Sequence, residues 1–198
     1  MRISRTVRGF LAGLYLGTAA ILGFSCFQEP DLYNVVVQEE DAPRIAEALA
    51  EWSTFTDVQF VLRVGGSCAG PRCIRFVFVP RAEVAQIADK DIAIGYAMPE
   101  IFIGGYTLYI SDDLSPEQEQ VTTIHELGHA LGLVHHKTYA VMNPTIDAGA
   151  GHVTCDDVEQ YAALRGLPRA WVWDRCKDPR LEAFGLLHLV MGDDGGAD

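Results

Sequence analysis

Apolar positions along this chain follow two different periods. Asn34-Val-Val-Val37 is a short β-branched run and predicts a first strand. Ile45, Ala48, Leu49 and Trp52 then fall at i, i+3, i+4 and i+7, which is one face of a helix. Asp41 stands where that helix needs an N-cap, and Pro43 suits its first turn. From Val58 to Val64 the pattern alternates, with Val58, Phe60, Leu62 and Val64 on one side, so a second strand is predicted. Gly65-Gly66-Ser67 opens a turn that runs to Cys73, and Ile74 to Val79 reads as the next strand. Residues 92–98 and 106–111 predict two more. The period then switches back. Ser115-Pro116-Glu117-Gln118 carries a capping box with proline at the first helical position, so a helix starts there and runs to about Leu131, with Gly132 as its stop. Thr154 and Asp157 open a last helix with Val158, Tyr161, Ala162 and Leu164 as its apolar residues. The order is strand, helix, four strands, helix, loop, helix, which is a mixed α/β or α+β domain.

Composition supports one globular unit. The 198 residues are 49% hydrophobic and 10% aromatic, enough to bury a core. Net charge is −12. The first 25 residues hold Arg2, Arg5 and Arg8 and no acid, leaving 12 basic against 27 acidic residues in the remainder. So acidic a surface repels phosphate backbones, and nucleic acid is not an expected partner.

The three arginines precede an apolar run from Phe10 to Phe24, shorter than the roughly 20 residues of a membrane span. A charged segment followed by an apolar one is the pattern of an export signal. Leu22-Gly-Phe-Ser-Cys26 resembles a bacterial lipoprotein signal, with Gly23 where such signals usually carry leucine. The expected product is secreted, or attached to a bacterial cell envelope through a lipidated Cys26. Export permits disulfides. Setting Cys26 aside, sequence proximity pairs Cys68 with Cys73 and Cys155 with Cys176. The expected organisation is a signal at 1–26, a monomeric domain at 27–191 and a Gly/Asp-rich disordered tail at 192–198.

The chemistry concentrates at His125-Glu-Leu-Gly-His-Ala-Leu-Gly-Leu-Val-His135. His125 and His129 are four apart on the predicted helix, one above the other on one face, so both imidazoles can reach one ion. Gly132 lets the chain leave the helix through positive φ and bring His135 back. Three neutral imidazoles leave a tetrahedral zinc site with one open position. Glu126 sits beside the ion without ligating it, placed to take a proton from water and pass it to a leaving amine.

His125-Glu126-x-x-His129-x-x-Gly132-x-x-His135 followed by Met142 resembles the metzincin signature, and Val141-Met142-Asn143-Pro144 resembles that clan's Met-turn. The short gap from His135 to Met142 and the proline at 144 are most similar to matrixins. The resemblance implies a metzincin-like α+β sandwich: a twisted, mostly parallel sheet, an active-site helix, the Met-turn and a C-terminal helix. It implies a peptide or protein substrate, one catalytic Zn2+ held by His125, His129 and His135, and Glu126 as base. Pro144 stands where astacins and serralysins carry a ligating tyrosine, so the resemblance implies three protein ligands. By the same similarity, Ile94 to Met98 is the edge strand above the cleft, with Gly95, Tyr96 and Ala97 facing substrate. Thr145 to Asp147 shape the pocket for the residue after the scissile bond.

Some matrixin features are missing. Pro71-Arg72-Cys73 matches the start of the latency motif but lies inside the sheet region, with Cys68 near it. No His/Asp loop for a structural zinc is evident. Acidic loops such as Asp112-Asp113 leave room for Ca2+ without defining a site. His136, where matrixins usually carry serine, is expected on the exposed rim. His152 and His188 receive no role. Two other readings compete with an exported endopeptidase: a catalytically idle binding lipoprotein, and a zinc amidase acting on a non-protein amide.

Overall fold

A computed structural model describes residues 31–145 and 151–177. The signal at 1–26, the tail at 192–198, Asp147 and His188 lie outside them. The described residues form five strands and five helices: β1 Leu32–Val37, α1 Ala42–Phe55, β2 Gln59–Val64, β3 Cys73–Val79, α2 Arg81–Ala88, β4 Gly95–Pro99, β5 Tyr106–Ser111, α3 Pro116–Ala130, α4 Cys155–Arg165 and α5 Arg169–Cys176. The sheet order is β2-β1-β3-β5-β4. β1, β2, β3 and β5 are parallel, and β4 alone runs antiparallel, beside β5. This is the expected mixed, mostly parallel architecture.

The core lies between the sheet and the helices α1 and α3. Ile45, Ala48, Leu49 and Trp52 are all buried, so the helix face read from their spacing is the packed one. Trp52 Nε1 donates to the Ile124 carbonyl at 2.9 Å and ties α1 to the middle of α3. Arg44 bridges the same helices by ion pairs to Asp41 and Glu119, and its guanidinium lies 3.7 Å from the Phe78 ring centroid. Asp41 therefore holds Arg44 instead of capping α1. It sits in the helical region of φ/ψ, and its carboxylate makes no cap bond. At α3 the capping box forms as expected, with Ser115 Oγ accepting from Gln118 N and Gln118 Oε1 accepting from Ser115 N.

Two helices, two burial expectations and one strand start differ from the sequence reading. α2 and α5 lack a broad apolar stripe: Val84 is the one buried residue of α2, and α5 buries none. In β2 the alternating face reads as core, yet Leu62 and Val64 are exposed because β2 is a sheet edge. Leu164 of α4 is likewise exposed, and residues 92–94 precede β4 as a turn. Both expected disulfides form, with Cα–Cα separations of 5.6 Å for Cys68–Cys73 and 5.5 Å for Cys155–Cys176.

Candidate active site

The site is assembled at the C-terminal half of α3 and the loop that follows it. His125 and His129 share one face of α3. Gly132 takes φ +98°, and Leu133 N donates to the Gly128 carbonyl at 3.0 Å, closing the helix end and turning the chain back. His135 thereby meets the other two rings. His135 Nε2 lies 3.0 Å from both His125 Nε2 and His129 Nε2.

The outer ring nitrogens fix the tautomers. His125 Nδ1 donates to the Val141 carbonyl at 2.6 Å, and His129 Nδ1 donates to the Leu133 carbonyl at 2.9 Å. A carbonyl only accepts, so both Nδ1 atoms carry the proton and both Nε2 atoms present lone pairs. Burial pushes the His125 imidazole down to about 4, and it lowers His129 and His135 as well. The neutral donors thus converge on one point. Zn–N bonds of about 2.0–2.1 Å put tetrahedral nitrogens roughly 3.3 Å apart, close to the spacing here. The donor set fits zinc, with carbonyl acceptors orienting two of its ligands from behind.

Glu126 is buried beside this cluster. Burial pushes its carboxyl up to about 8, against the Ala97 backbone N–H and the charge of Lys90, which both pull it down. Gly95 sits directly over it: a Cβ there would lie 2.6 Å from Glu126 Oε1 and 2.5 Å from Thr122 Cγ2. Two cavities of about 380 and 300 Å³ flank the cluster and share Lys90, Gly95, Glu126 and His135 in their walls. Tyr96 and Ala97 line the first, and Asn143 and Pro144 line the second. Among the described residues β4 pairs with β5 alone, so its other edge has no strand partner there, alongside this cleft. The residues expected from the sequence at Gly95, Tyr96 and Ala97 therefore stand at the cleft. At the far wall the lining is Asn143 and Pro144, while Thr145 is exposed and its N–H donates to Asn143 Oδ1 at 3.0 Å.

Met142 is fully buried under α3, and a Cβ on Gly128 would lie 2.4 Å from its Sδ. The turn that carries it is held by Asp157, which is fully buried at the start of α4. Asp157 accepts from Val141 N and Met142 N at 3.1 Å each, and from Thr154 N and Oγ1 at 2.8 Å each. His136 is not on the rim. Its side chain is 19% exposed, and its Nε2 lies 3.1 Å from Asp157 Oδ1. Reading Asp157 as a helix-start residue missed its larger partner, the Met-turn 15 residues upstream. Lys90 was also missed. Its backbone is fixed by Asp89 in the left-handed region, φ 52°, and by its own N–H on the Ala85 carbonyl at 3.0 Å.

Comparisons with known proteins give a family. The sequence matches the matrixin peptidase family over residues 24–166. Macrophage metalloelastase of Oryctolagus cuniculus is 29% identical over 147 residues, covering 69% of this chain and 31% of that protein. This chain therefore spans about a third of that relative's length. Two structures of myroilysin, 19% and 18% identical, align over 58% of this chain and 54% and 48% of theirs, each with a TM-score of 0.38. With a family match across more than half its length, and three histidines from α3 and the loop after it converging on one point, the chain belongs to the matrixin family.

Proposed function

We propose that this protein is an exported zinc endopeptidase, held at a bacterial envelope through its N-terminal segment, that cleaves peptide bonds with Glu126 as general base. The observation that carries the reading is a single constellation: three imidazole Nε2 atoms aimed at one point, a buried carboxylate beside them, and along the same cleft a strand edge with no partner among the described residues. Zinc, when bound, supplies a Lewis acid that acidifies water and polarises a carbonyl. The protein's own residues do the rest. His125, His129 and His135 hold the ion as neutral donors. Beside a bound cation Glu126 would titrate lower, as the carboxylate able to accept a proton from water. The same carboxyl then delivers the proton to the departing amine nitrogen. An extended peptide adds to β4 as a further strand through backbone hydrogen bonds, which places its scissile bond over Glu126. Gly95 keeps the strand close to that carboxylate.

The test is metal content together with cleavage of a mixed peptide library by the purified protein and by Glu126→Ala. The expected result is one zinc per chain, cleavage by the parent, and a large loss in the variant. Equal cleavage by Glu126→Ala overturns the mechanism. Stoichiometric zinc with no cleavage of any peptide overturns the endopeptidase reading.

A further inference from the structure

The turn between β4 and β5 holds three apolar side chains in water. Phe102 is 100% exposed, Ile101 88% and Ile103 45%. This is not a loose loop. Glu100 N donates to the Gly105 carbonyl at 2.9 Å, Gly104 N to the Glu100 carbonyl at 2.8 Å, and Thr107 Oγ1 to Glu100 Oε1 at 2.5 Å. Gly70 N donates to the Ile103 carbonyl at 2.7 Å and locks the turn onto the loop closed by Cys68–Cys73. The contact is so close that a Cβ on Gly105 would lie 2.1 Å from the Cys73 carbonyl oxygen. A hydrogen-bonded turn that presents Ile-Phe-Ile outward is an apolar surface suited to a partner.

The topology shows what lies at the same end of the sheet. β1, β3 and β5 are parallel, so Leu32, Cys73 and Tyr106 all begin at one end of the sheet. The Ile101–Ile103 tip immediately precedes Tyr106, at that end. Asp31 is there too: its carboxylate pairs with Arg72 at 2.7 Å, two residues from the Gly70 that holds the tip. The N-terminal segment therefore joins the domain beside the tip. Cys26 is five residues before Asp31, a reach of at most about 18 Å, and the apolar run ending at Phe24 is within about 25 Å.

We propose that Ile101, Phe102 and Ile103 form a wedge that enters the acyl region of the same bilayer to which the N-terminal segment anchors the chain. This rests on the envelope attachment proposed above. Contact is apolar and not electrostatic, because the acidic chain is repelled by anionic headgroups. The anchor alone fixes one point, and the wedge fixes a second. Together they hold the domain in one orientation on the membrane.

The experiment reconstitutes the full chain with zwitterionic phosphatidylcholine–phosphatidylethanolamine vesicles. A solvatochromic amino acid is incorporated at position 102, and at the exposed Leu164 as a control. The expected result is flotation of the chain with vesicles, a blue-shifted emission at 102 that is quenched by nitroxides on the acyl chains, and an aqueous signal at 164. Ile101→Asp with Ile103→Asp removes the shift at 102 while leaving cleavage of a short soluble peptide within twofold, which shows that the fold is intact. Flotation with an aqueous signal at 102 overturns the wedge and leaves the anchor standing. Absence from floated vesicles overturns both. A blue shift produced by a protein substrate without lipid overturns the membrane assignment in favour of a protein-docking surface.

Discussion

Replacing Asp157 by alanine tests the link between α4 and the metal site. Three buried backbone N–H groups, on Val141, Met142 and Thr154, lose their acceptor at once. Each orphaned buried donor costs about 1–3 kcal/mol, and partial hydration recovers some of that. A total of about 3–5 kcal/mol follows, typical of removing one partner from a buried charged network. At about 2–4 °C per kcal/mol for a domain of this size, Tm falls by roughly 6–20 °C. The change also reaches the ligands. With the turn released, the Val141 carbonyl no longer holds His125 Nδ1 at a fixed angle, and loss of such support lowers metal affinity by about 10–100-fold. Asp157→Asn keeps one acceptor oxygen and falls between the parent and the alanine variant. The assays are thermal unfolding of zinc-loaded protein and competition for zinc against a chelator of known affinity. Tm within 2 °C of the parent together with unchanged zinc affinity would refute the clamp.

Three further outcomes follow from the same geometry. Gly128→Ala drives a Cβ into Met142 Sδ and toward Trp52, at an overpacking cost of about 1–3 kcal/mol that the better helix propensity of alanine offsets by about 0.5–1; chemical denaturation should show net destabilisation in the parent and none in a Met142→Ala background. Glu126→Gln removes a carboxyl whose folded pKa of about 8 is raised above its ordinary 4.5, a group whose stabilising protonation is lost as pH rises through that window; the variant should abolish cleavage yet stabilise the metal-free protein at pH 7 by about 3 kcal/mol, and a lower metal-free Tm would contradict the burial argument. His125, depressed from 6.5 to about 4, gives the opposite slope, because the unfolded chain binds more protons between those values. Metal-free stability should therefore fall by up to about 3 kcal/mol from this group as pH drops from 6.5 to 4, read by denaturation across that range.

The parts of the site that local spacing encodes were legible in the sequence. A four-residue histidine interval on a helix, a glycine at the helix end and a capping box are each satisfied within one or two turns of chain. The apolar face of α1 was legible because it is long and continuously buried. What escaped depends on partners far away in sequence. Asp157 looked like a helix-start acid because its Thr154 bonds are local, whereas its bonds to Val141 and Met142 need the tertiary fold. Lys90 follows a helix that buries only Val84, so no periodic signal announced the element that brings it to the cleft. In β2 the alternation was real, but an edge strand leaves half-apolar faces uncovered, and pattern alone does not tell an edge from a centre.

The three histidines occupy a window of only eleven residues, and that has a consequence for the unfolded chain. Closing so short a loop costs little entropy, so a denatured polypeptide can still gather all three imidazoles around an ion. The native state keeps two advantages: the Val141 and Leu133 carbonyls that pre-set the rings, and the burial that keeps them unprotonated. Zinc therefore stabilises the fold by the ratio of its two affinities and not by the native one alone. Saturating metal should raise the melting temperature less than the native dissociation constant suggests, and melted protein should keep part of its zinc.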